Sequence, residues 1–216
     1  MNVKEALSTR RAYRAFNADL VDRETIMDLL NDAIKTPSWA NTQPWKIYAV
    51  SGELLKDIRQ AYIENSENKV PLSFDIKRPG NWPEAAKERM KELMSGVSNL
   101  GDNAGKLFGE LNQTLFNAPA VIFLCMDKSL SSWSMFDLGA LSQSIMLAAT
   151  ERGLATVPAV ELVHYPQVLR SKLDIPDHLS IVFGIAIGYA DEQHPVNQLK
   201  TTRRPISEAA VIKGFK

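Results

Sequence analysis

Cysteine is nearly absent from this sequence: Cys125 is the only one among 216 residues. A lone cysteine forms no internal disulfide and leaves no cysteine pair for zinc. Its place in the apolar run from Ala120 to Met126 marks it as a small buried hydrophobe. Histidine is scarce too. His164, His178 and His194 fall in polar stretches that read as solvated loops, and none has ligand spacing to another histidine or to the cysteine, so no metal site is expected. Charge of one sign is not in excess, with 25 basic side chains against 25 acidic ones. That balance argues against a nucleic-acid partner held by bulk electrostatics and leaves little self-repulsion to oppose self-association. No apolar stretch is long enough to span a bilayer, and the opening MNVKEALSTRRAYRAF lacks the apolar centre of a secretory leader. The expectation is a cytoplasmic protein with no membrane partner. Also missing are a Gly-x-Gly-x-x-Gly turn after a strand, a Walker-type phosphate loop and a Gly-x-Ser-x-Gly elbow. An enzyme without these leaves its chemistry to a bound cofactor.

What is present is an ordinary globular pattern. Hydrophobic residues make up 45%, enough for a sizeable core, and the length suits one domain over residues 1–216. Asp22 reads as the N-cap of a helix through Ile34 whose apolar residues keep to one face. Pro37 to Pro44 is a loop, Trp45 to Val50 a strand, and Gly52 leads into a second helix. Residues 68–83 hold three prolines and mixed charge, which reads as a surface excursion; helices around Glu84–Val97 and Asn103–Phe116 follow, so the excursion covers about 68–116. The continuous apolar run Ala120–Met126 predicts a strand buried on both faces. Ser134 to Arg152 is apolar nearly all round and should be a central helix ended by Gly153. Strands around Ala155–Val157 and Ser180–Gly188 bracket a helix from Pro166 to Leu173. From Asp191 the chain turns polar and irregular, an arm instead of a core element. This order gives an α+β or three-layer α/β/α domain. The long helix needs cover: either a second copy of itself across a two-fold axis, in which case Leu141→Glu at its centre costs the dimer, or the helices of the excursion within one chain.

Three features carry chemistry. Arg10, Arg11 and Arg14 in TRRAYRAF form one basic cluster, and Lys200, Arg203 and Arg204 in LKTTRRP form another. Each can be a solvated face, or both can grip one phosphate, for which the planar fork of arginine is suited. The third feature, TPSWANTQPW from Thr36 to Trp45, is either a rigid turn or a set of donors and acceptors for the polar edge of a planar heterocycle.

TRRAYRAF followed by PSWANTQPW resembles the opening of the FMN-dependent nitroreductase family. The likeness continues through NAPAVIFL, SWSMFDLGALSQSIMLAATERGLATVP and IPDHLSIVFGIAIGYAD, and the tail PVNQLKTTRRPISEAAVIKGF is similar to the branch that includes nitrobenzoate-type reductases. The resemblance implies a mixed central sheet flanked by helices and an intertwined homodimer with shared FMN sites. It implies ping-pong transfer of a hydride from NADPH or NADH to FMN and on to a small-molecule acceptor, a nitroaromatic or a quinone, with no catalytic acid or base of the protein's own. By the same resemblance Arg10 and Arg11 lie toward the phosphate and ribityl chain and Arg14 near the pyrimidine edge. Pro37, Ser38 and Asn41 reach the flavin from the partner subunit, with Gln43 a lesser candidate and Trp39 narrowing the mouth. Pro158, Ala159 and Val160 bring backbone near N5, and Lys200 and Arg203 close on the phosphate while Arg204 stays at the surface. Two departures stand out: Ala12 replaces a frequent serine, and Val160 and Glu161 stand where glycines are common. Rival readings are a reductive dehalogenase or flavin-consuming enzyme on the same scaffold, with Asn68 to Gln113 as a lid, and a non-catalytic flavin-binding protein.

Overall fold

The computed structural model describes residues 1–215. In chain order these form α1 (Val3–Thr9), α2 (Arg23–Ala33), β1 (Trp45–Ser51), α3 (Gly52–Glu67), α4 (Glu84–Ser98), α5 (Ala104–Gln113), β2 (Ala120–Asp127), α6 (Ser132–Glu151), β3 (Ala155–Ala159), α7 (Pro166–Leu173), β4 (Leu179–Gly188) and α8 (Ile206–Ala209). Local chemistry sets the boundaries. The Asp22 carboxylate accepts the Thr25 N–H at 2.7 Å, as expected of the cap. Asn2 caps α1 by accepting the Glu5 N–H at 2.9 Å, a short helix that the hydrophobic pattern had not indicated. Gly153, at φ +72°, turns the chain out of α6.

The strands form one sheet in the order β1–β2–β4–β3, and every pair of neighbours is antiparallel. This departs from the mixed sheet that the family resemblance implies. The reason is topological. α6 carries the chain from β2 past a vacant position to β3, and β4 fills that gap running the opposite way, so the two strands that share a direction never touch. The parallel pairing that does occur among the described residues is a single bridge, Ala12 to Thr156.

β2 is the centre of the molecule. Val121, Phe123 and Cys125 face one core, shared with α3, α5 and α7, while Ala120, Ile122, Leu124 and Met126 face a second core built with α2 and α6. A strand with both faces buried needs apolar residues at every position, which is what the unbroken run supplies. The layers are therefore helix, sheet and helix, the three-layer arrangement expected.

Several sequence readings are corrected at this level. Leu141 in the middle of α6 is fully buried against the sheet of its own chain, so Leu141→Glu strikes the core and not an outer face. The exposed residues of α6 are Ser132, Trp133, Phe136, Gly139 and Glu151, with Ala140 and Gln143 half-buried beside them. The excursion is not all surface. Arg170 of α7 pairs with Asp75 and donates to the carbonyls of Pro176 at 2.9 Å and Leu179 at 2.7 Å, while Asp75 also accepts the Ile181 N–H at 2.8 Å. A buried ion pair is tolerated when its remaining valences are filled in this way, and here it pins the excursion to the sheet. His164 is not a solvated loop residue either: its ring lies edge-on to Phe74, 5.4 Å between centroids, and burial lowers its pKa. Finally, Val196, Asn197 and Leu199 are buried, so the stretch from Asp191 docks on the body and the exposed arm begins at Lys200. No helix among the described residues is long and apolar enough to cross a membrane.

Candidate functional site

A cleft of about 670 Å³ opens where the two ends of the chain meet. The TRRAYRAF segment leaves α1 and runs beside β3, with the Tyr13 N–H donating to the Thr156 carbonyl at 3.0 Å. That placement turns Arg10, Arg11 and Arg14 to one wall, while Lys200 and Arg203 come from the tail and Pro158 from the end of β3. The structure therefore brings together six of the residues singled out from the sequence. None of the five cations forms an ion pair among the described residues, and the rest of the wall mixes apolar side chains, Leu7, Met146 and Leu199, with the neutral polar Ser8, Thr9, Gln143 and Thr201. Burial, and after it the approach of Arg203, hold the Arg10 guanidinium below its ordinary pKa. Glu161 acts on Arg14 from outside the lining, but one carboxylate leaves the five cations in excess at this mouth, which is what an anion such as a phosphate would neutralise. Arg11 also stacks on the Tyr13 ring at 4.4 Å, and Arg14 lies over Phe108 of α5 at 5.0 Å. Ala159 is buried behind Pro158 and Val160 is partly exposed beyond it.

The PSWANTQPW loop does not join this cleft. Pro37, Ser38 and Trp39 line a different cavity, of about 560 Å³, with Trp133, Phe136 and Asp137 at the start of α6. Trp39 and Trp133 meet edge to face, 6.3 Å between centroids. Ala40, Asn41 and Gln43 all hold positive φ, at 49°, 58° and 44°, a conformation that costs energy in non-glycine residues and recurs at functional sites. Hydrogen bonds brace it: Ser38 Oγ accepts the Gln43 N–H at 2.9 Å, Asn41 Oδ1 accepts Gln43 Nε2 at 3.2 Å, and the buried Asp137 carboxylate accepts the Trp39 N–H at 3.3 Å. The loop is thus a rigid turn, tied to α6 and aimed outward.

Sequence reasoning missed Gln143 and Met146, which α6 contributes to the basic cleft, and Asp137. A signal existed. Asp137 is the sole charged residue in the apolar stretch from Ser134 to Ala149, and Ser142-Gln143-Ser144 is its one polar cluster.

The nitroreductase family model matches residues 7–189. This chain belongs to that family. It is 31% identical to the 4-nitrobenzoate reductase of Pseudomonas putida, over 97% of this chain and 94% of that one. Among solved structures, the FMN-dependent nitroreductase NfnB from Mycobacterium smegmatis in complex with NADPH superposes with a TM-score of 0.89 at 28% identity, covering 98% and 97% of the two chains. The FMN and NADPH-dependent nitroreductase NfnB from Sphigopyxis sp. strain HMH gives 0.91 at 27%, with both chains fully covered. Membership accounts for the three-layer fold.

Proposed function

We propose that this chain is an FMN-dependent NAD(P)H nitroreductase that passes electrons to nitroaromatic or quinone acceptors, working as a homodimer with shared sites. The observation that carries the reading is the meeting of Arg10, Arg11 and Arg14 with Lys200 and Arg203 around one cleft, uncompensated by any carboxylate among its lining residues. The residues fit the cofactor. Arg10, Lys200 and Arg203 would hold the phosphate, Arg11 the ribityl side, and Arg14 the pyrimidine edge. Pro158, Ala159 and Val160 would lie along the N5 edge. FMN supplies the two-electron chemistry when bound; the protein supplies position, charge and access. Pro37, Ser38 and Trp39 line the separate cavity and Asn41 and Gln43 belong to the same loop; a two-fold dimer would turn that loop toward the flavin of the other subunit. The match in fold and coverage to the NfnB enzymes supports NADPH as donor.

The test is direct. Purified protein should be yellow, heat-released flavin should be FMN, and NADPH added without air should bleach the absorption, which 4-nitrobenzoate should then restore. Protein that stays colourless after incubation with FMN would overturn the reading.

A further inference from the structure

Asn197 lies in the 3₁₀ turn just before the arm, 1% exposed, and uses its full hydrogen-bonding capacity. Its Oδ1 accepts the N–H groups of Arg14, at 2.7 Å, and Ala15, at 3.2 Å. Its Nδ2 donates to the carbonyls of Ala15 and Asp191, both at 2.8 Å. Only an amide offers two donors and two acceptor positions on so short a stem without a charge. Two residues on, Leu199 fills the space between α4 and α5 beside Val97 and Ala104, with its methyl 3.0 Å from where a Cβ on Gly96 would stand. The root of the arm is therefore fixed on both sides, and Lys200 and Arg203 leave it toward the cleft.

We propose that Asn197 is a positioning residue that holds the two basic lobes of the cleft in register, so that Arg10 on one side and Lys200 and Arg203 on the other close on a single phosphate. The argument is electrostatic. Five cations around one cleft repel one another until an anion arrives, and that repulsion drives the arm away from TRRAYRAF. A salt bridge at the anchor would need a carboxylate, which would compete with the phosphate for the same arginines. A buried, neutral, fully satisfied amide resists the repulsion without that competition. It also fixes the backbone from which the Arg14 side chain starts.

The inference rests on the FMN reading, and the test separates the two. Flavin-stripped full-length protein is titrated with FMN and with riboflavin, which lacks the phosphate. Wild type should prefer FMN; equal affinity for both would remove the phosphate reading, and this proposal with it. If wild type does prefer FMN, Asn197→Ala should weaken FMN binding roughly tenfold or more, the loss expected when charge-assisted hydrogen bonds to phosphate are loosened. Riboflavin binding should change by less than about threefold. Equal losses for both flavins, or none, would show that Asn197 only supports the fold. Amide exchange on the wild-type protein decides the matter even where the variant does not fold. FMN should slow exchange across residues 13–16 and 196–203 together, and riboflavin, which keeps the pyrimidine edge but lacks the phosphate, should leave 196–203 unprotected. Protection of one segment alone by FMN would overturn the proposal.

Discussion

Arg14 combines three constraints in one residue. Its backbone N–H is held by Asn197, its guanidinium lies over Phe108, and burial keeps its pKa below the ordinary value. A cation fixed at this depth favours any neighbour that gains negative charge, and under the proposed function that neighbour is the reduced flavin. Arg14→Gln should therefore make bound FMN harder to reduce. Loss of one charge-assisted contact is worth about 1.5–3 kcal/mol, or roughly 30–60 mV downward for a two-electron couple. A spectroelectrochemical titration that finds the potential unmoved, with FMN still bound, would place the charge elsewhere. The five cations were legible because arginine clusters announce themselves in one dimension. Asn197 was not: its partners are 182 and 183 residues away, and an asparagine in a polar tail looks like any other. The left-handed Ala40 was equally silent, since alanine carries no preference for that conformation.

At the scale of the element, α6 shows how far a hydrophobic pattern reaches. Its apolar residues nearly encircle it, and the pattern located the helix to within two residues at its start and one at its end. It could not tell which face meets the sheet. Leu138, Leu141 and Ile145 do, whereas Gly139 is exposed and Ala140 and Gln143 are half-buried. Small residues on the side away from the sheet let a second helix approach closely, so under the proposed homodimer the seam is expected along Gly139 and Ala140 and not at Leu141. Ala140→Arg should yield a folded monomer with little FMN. Leu141→Glu should instead destabilise the fold itself, by roughly 3–5 kcal/mol for an uncompensated buried charge. Light scattering and thermal melts on both variants check this; a dimeric, flavin-replete Ala140→Arg protein would place the seam elsewhere. The excursion was misjudged for a related reason. Its prolines and charges read as surface, yet Asp75 is held inside because Arg170, ninety-five positions on, supplies the partner.

The whole molecule depends on β2 having no wet face, and this has a consequence for pH. Burial pushes the Cys125 thiol up to about 12 and raises the Tyr62 phenol as well. The folded chain keeps both protonated where the unfolded chain releases them. Their contribution is thus fully present below the ordinary thiol value of 9.0 and declines as pH rises toward about 12. The melting temperature should fall steadily between pH 9 and 11, and Cys125 should resist alkylation in the folded protein at pH 8. A flat melting profile across that range, or rapid alkylation, would contradict the burial of this strand.

The join at Asn197 also sets an order in time. Arg14 leaves the ribosome 183 residues before the side chain that receives its N–H, and the sheet's four strands are all made in between. A chain emerging N-terminus first folds what it already holds. The arginine segment must wait beside a finished scaffold until residues 197–203 follow. A nascent chain halted after β4 would lack the Val196 of its core and the Lys200 and Arg203 of its cleft, so cofactor capture is expected among the last events of synthesis.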